Sequence, residues 1–110
     1  MDISDKLNLI LREYSSGNKE SAYKKFKKIY LKNNKDLKLR YNLAVMQQEL
    51  GLLDEAETNY ISLVESNENV KYKINLYNIY ITKKFYQKAL DLINSIQSKN
   101  LSLIQVNQDK

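Results

Sequence analysis

Cysteine, histidine, proline and tryptophan are all absent from this 110-residue chain, and glycine occurs only as Gly17 and Gly51. Without cysteine there is no disulfide framework, and without either cysteine or histidine there is no thiol or imidazole nucleophile and no ordinary zinc site. A metal would have to be held by oxygen ligands alone, so no cofactor is expected. The near absence of turn-forming Gly and Pro argues against a β-rich fold, whereas the Leu, Lys, Glu and Ala content suits helices. The N-terminal stretch MDISDKLNLILREYSS places aspartates where a secretory leader needs positive charge. No later run approaches the ~18 consecutive apolar residues of a membrane span. A cytoplasmic, all-α chain without a membrane span is expected, of a length that suits one domain.

The net charge is +5, distributed in blocks. Residues 19–40 contain nine Lys or Arg against Glu20 and Asp36, residues 41–70 contain six acids and no Lys or Arg, and residues 71–110 contain seven lysines against two aspartates. This alternation works against one continuous basic track for nucleic acid.

Apolar spacing divides the chain into six helices. Leu7, Ile10, Leu11 and Tyr14 define the first, over 3–16, with Asp2 or Ser4 as its cap and Gly17 as its stop. Asn18 is placed to cap the second, over about 19–32. On this helix Lys24, Lys25, Lys27, Lys28 and Lys32 fall between about 140° and 300° from Ala22, away from the apolar stripe. A solvated face is the simplest reading of these lysines, ahead of phosphate binding by the basic run from Lys24 to Arg40, whether in nucleic acid or on an acidic membrane surface. Further helices are predicted over about 36–50, ending at Gly51, and over about 54–66, where Asp54, Glu55 and Glu57 meet the positive end of the helix dipole. The last two cover about 70–83 and 86–98. The stretch around Leu101, Leu103, Ile104 and Val106 is expected to form a short capping helix over about 100–107, followed by a disordered tail at 108–110.

The second, fourth and sixth helices share a pattern. Ala22, Ala56 and Ala89 recur at a nearly constant interval, and each is followed at i+4 and i+7 by an apolar side chain: Phe26 and Ile29, Tyr60 and Leu63, Ile93 and Ile96. An Asn-Leu pair precedes each alanine at the same distance, as Asn8-Leu9, Asn42-Leu43 and Asn75-Leu76. A small side chain at this place lets two antiparallel helices approach closely while the i+4 and i+7 residues fill the flanking space.

With a period of about 34 residues, two helices per unit and an alanine at the crossing, the chain resembles the tetratricopeptide repeat family over about residues 3–98. The repeats fall at about 3–34, 37–69 and 70–99. The central copy matches best through Leu43, Ala44, Gly51, Ala56 and Tyr60, while Ile10 and Tyr77 stand where the family usually has a small residue. The resemblance implies an α-α superhelix of three helix hairpins within a single domain over 1–107. It also implies a non-catalytic scaffold that takes an extended peptide or a partner's helix in a concave groove lined by the first helix of each repeat. The residues so placed are Leu7, Asn8, Leu11, Lys38, Tyr41, Asn42, Val45, Lys71, Ile74, Asn75 and Asn78. A column of amides at Asn8, Asn42 and Asn75 offers donor and acceptor to a peptide backbone. The alternative is that the column only reflects repeat consensus in a chain with 13 asparagines. The family variant that clamps a chaperone's C-terminal carboxylates is matched only at Asn42 and Lys71, so that specificity is not expected.

Two other classes of function remain open at this point. A nucleic-acid-binding repeat protein would work through Lys24, Lys25, Lys28 and Lys32, with tyrosines such as Tyr23, Tyr30, Tyr72 and Tyr86 available for stacking unless they are core. An accessory repeat module would act with a separately encoded enzyme. Nothing in the chain assembles a catalytic constellation of its own. The apolar edge of the last hairpin, if left uncovered, offers a surface for self-association.

Overall fold

Asp2, Asp36 and Asn69, set one repeat interval apart, open three of the helices in the same way. Each holds an extended backbone and turns its side-chain oxygen onto an amide of the first turn: Asp2 accepts from Asp5, Asp36 from Lys38 and Leu39, and Asn69 from Lys71. This satisfies backbone donors that have no partner inside the helix. The structure, a computed structural model, describes residues 2–96. Among the described residues there are six α-helices and no strand: α1 Ile3–Ser15, α2 Lys19–Lys32, α3 Leu37–Glu49, α4 Leu53–Ser66, α5 Val70–Thr82 and α6 Tyr86–Asn94. The expected cap at 100–107 and tail at 108–110 lie outside the described residues.

The far ends of α1, α3 and α5 also repeat. After α1, the Gly17 amide donates to the Tyr14 carbonyl and the Asn18 amide to that of Glu13. Gly51 and Leu52 close α3 onto Gln48 and Gln47, and Lys84 and Phe85 close α5 onto Ile81 and Tyr80. These are Schellman motifs, which require a left-handed residue just beyond the helix. Gly17 (φ 105°), Gly51 (φ 81°) and Lys84 (φ 65°) supply it. Lysine thus occupies the strained position in the third turn, where the first two turns use glycine.

Two expectations are corrected here. Asn18 makes no side-chain cap to α2; its amide donates to Glu13 Oε2 at 2.6 Å instead. Helix α6 ends at Asn94 rather than near 98, because Asn94 and Ser95 favour local backbone alternatives. Ser95 Oγ bonds the Leu92 carbonyl, and the Ser95 and Ile96 amides tighten onto Leu92 and Ile93.

The chain forms two compact units, Met1–Leu52 and a second that begins at Leu53. In the first, α1 and α2 are antiparallel, with Lys25 Nζ 3.0 Å from Glu13 Oε1. Helix α3 returns antiparallel to α2, as two bonds near opposite ends show: Gln47 Nε2 to Tyr23 Oη at 3.0 Å and Arg40 Nε to Tyr30 Oη at 2.7 Å. Ile10, Ala22, Tyr23, Phe26, Tyr30, Leu39, Leu43 and Met46 form its core. Gln47 is a polar side chain buried in this unit, and the Tyr23 hydroxyl takes one of its amide hydrogens, as burial of a polar group requires.

In the second unit α5 is antiparallel to α4, since Lys83, just beyond α5, reaches Asp54 and Glu57 at the start of α4 at 2.6 and 2.7 Å. Helix α6 is antiparallel to α5, with Lys73 Nζ 3.4 Å from Ser95 Oγ. Ala56, Tyr60, Leu63, Leu76, Ile79, Ala89 and Ile96 are buried here. Full burial of a side chain such as Leu63 or Ile79 contributes about 1.5–3 kcal/mol. The alanines that set the period, Ala22, Ala56 and Ala89, are 0–2% exposed, as a close helix crossing demands.

Candidate binding surface

In the first unit α1 and α3 both run antiparallel to α2 and therefore point the same way. They are joined at their C-terminal ends, where Tyr14 Oη donates to Glu49 Oε1. Burial, and next the Glu49 carboxylate, push the Tyr14 phenol up to about 12, so this link stays protonated at neutral pH. Glu49 continues the stripe of Lys38, Asn42 and Val45 along α3, and Tyr14 continues that of Leu7 and Leu11 along α1.

The unit thus places seven of the predicted residues on two parallel helices. On α1, Asn8 and Leu11 are exposed and Leu7 is half-buried against the core. On α3, Lys38 and Asn42 are exposed, with Tyr41 and Val45 half-buried. Asn8 and Leu11 line an open depression of about 610 Å³ with Arg12, Ser15 and Ser16. The sequence reading missed those last three residues, although Asn8, Arg12 and Ser15 follow the helical spacing i, i+4, i+7 and were available to it.

In the second unit Lys71, Ile74, Asn75 and Asn78 lie on α5. Lys71 and Asn78 are exposed, Ile74 is half-buried, and Asn75 is half-buried and already engaged. Of the three asparagines, Asn8 and Asn42 are more exposed to solvent than Asn75.

No protein family and no curated protein matches this chain. What bears on its function is the surface itself.

Glu13, Lys83 and Tyr80 have shifted titrations set by their structural neighbours. Glu13 is held below the usual carboxylate range first by its hydrogen bond from Lys25, against the opposing effect of desolvation, with Ser21 and Asn18 also donating. Lys83 is raised by its hydrogen bonds to Asp54 and Glu57. Tyr80 is pushed up by burial and then by the Glu57 charge. Among the described residues no three acidic side chains cluster so as to hold a metal ion, and no helix is long and apolar enough to cross a membrane. Tyr23, Tyr30 and Tyr72 are buried while Tyr86 is 60% exposed. The α2 lysines at 24, 25, 27, 28 and 32 are all exposed.

Proposed function

We propose that the chain is a cytoplasmic scaffold of three tetratricopeptide-like repeats, stacked as an α-α superhelix, that holds an extended peptide or a partner's helix along its first helices. The observation that supports this most is the recurrence, once per repeat interval, of an entire local frame: the side-chain cap, the Schellman turn and the buried alanine. In this reading the exposed amides of Asn8 and Asn42 pair with a partner's backbone, while Leu11, Tyr41 and Val45 supply apolar contact beside them. The scaffold performs no covalent chemistry, and its effect comes from bringing a partner into place.

A library of extended peptides selected against the full chain tests the reading. Binders should lose about fivefold in affinity to each of Asn8→Ala and Asn42→Ala, the worth of about 1 kcal/mol per hydrogen-bonded amide. Peptides whose affinity ignores both substitutions would overturn it.

A further inference from the structure

The basic face of the first unit carries aliphatic side chains that a merely solubilising face does not need. Lys24, Lys28 and Lys32 recur at i, i+4 and i+8 along α2, all exposed, and Leu31 stands among them 58% exposed. Across the hairpin, Lys6 and Leu9 of α1 join Lys28 around an open groove of about 360 Å³, with Ile10 and Ile29 in its lining. A second groove of about 190 Å³ shares Lys6, Lys28 and Ile29 and extends to Ile3 and Lys32. Leu9 is 50% exposed, whereas Leu43 and Leu76, at the same place in α3 and α5, are buried.

The charge on this face is available. Lys25 is paired with Glu13, but Lys6, Lys24, Lys28 and Lys32 form no ion pair among the described residues. Glu20 precedes Lys24 by four residues at the N-terminal end of the same stripe, Asp5 precedes Leu9 by four on α1, and Glu13 lines the first groove beside Lys25.

We infer that this face docks on a bilayer surface rich in anionic phospholipids. The lysines lie over the headgroups while Leu9 and Leu31 enter the boundary with the acyl chains. The combination of unpaired lysines with exposed aliphatic side chains selects a lipid surface over a nucleic acid. Single-strand binding draws on exposed aromatic rings, and the aromatic residues of α2, Tyr23, Phe26 and Tyr30, are all buried.

Co-sedimentation of the full chain with vesicles of phosphatidylcholine alone, and of phosphatidylcholine with phosphatidylserine, tests this. Binding should require phosphatidylserine, weaken as salt is raised, and fall about fivefold with Lys28→Gln. Leu31→Ser should weaken it with every lysine in place and with an unchanged melting curve. Asn42→Ala should bind vesicles as the parent does, which keeps this surface separate from the peptide-binding reading. Failure to bind anionic vesicles at low salt would overturn the inference. So would a Leu31→Ser variant that binds as well as the parent, because the lysines alone would then serve any polyanion, RNA included.

Discussion

Gln47 in the first unit and Tyr80 in the second are each the eleventh residue of their helix, one repeat interval apart, yet they meet different partners. Gln47 donates to the Tyr23 hydroxyl inside a buried, neutral pair. In the second unit Glu57 stands at the position equivalent to Tyr23, and it is bound by Lys83 while its charge acts on Tyr80. The backbone frame is thus repeated with fidelity while the polar link between neighbouring helices is not. A cap or a turn is fixed by bonds within a few residues, whereas an interhelical pair has only to be complementary, so hydroxyl with amide serves in one place and carboxylate with ammonium in the other. The first link is indifferent to salt, and the second, nearer to solvent, is screened by it.

The largest effects should come from the apolar frame that the units share. Phe26→Ala and Tyr60→Ala, at equivalent positions that are 1% and 0% exposed, should each cost about 3–5 kcal/mol in denaturant unfolding. Amide exchange in the unit left intact would show whether the two units open together. Next comes the neutral pair: Gln47→Ala leaves the Tyr23 hydroxyl buried without its partner and should cost about 1–3 kcal/mol, unchanged between low and high salt.

The turns follow. Gly51→Ala meets no steric obstacle, since nothing lies within 4 Å of the added carbon, so its cost of about 1 kcal/mol is conformational. Lys84→Gly should show the opposite sign, raising stability by up to about 1 kcal/mol and making the third turn like the first two.

The smallest and most condition-dependent effect belongs to the ionic link. Lys83→Met should lower the melting temperature at low salt and lose most of its effect at high salt. Because the folded-state pKa of Lys83 is raised above 10.5, its stabilisation is fully present below that pH and disappears as pH rises through the folded value. Tyr14 acts in the same direction from the first unit. Its folded pKa of about 12 against an ordinary 10 means the unfolded chain ionises first, so stability falls between those two values. Following tyrosinate absorbance in the parent and in Tyr14→Phe would separate the two contributions.

How far these features were legible depended on their range. The alanine column and the two glycine turns could be read because each is a residue type with few alternatives at a fixed spacing. Lys84 occupies the same column, but lysine carries no signal of a left-handed backbone, so the third turn was visible only in the structure. Asn18 had a capping residue's identity yet was drawn to Glu13, a competition that sequence spacing does not reveal. The pairing of Tyr23 with Gln47 joins residues on different helices and depends on how those helices are rotated. At the candidate site the positions along each helix were readable, but their exposure was not: Asn8 and Asn42 reach solvent while Asn75 is partly covered. Leu9, grouped with Leu43 and Leu76 by its spacing, is the one left exposed.

The caps and turns of α1, α3 and α5 have a consequence for how the chain reaches its native state. Each cap bond spans two or three residues and each turn bond no more than five, so both limits of these helices are specified by local bonds that need no distant contact. Ends that can close locally lower the entropic barrier to assembly, and helical proteins dominated by such contacts fold in roughly microseconds to milliseconds. A chain punctuated in this way should find its helix limits first and search only for their arrangement.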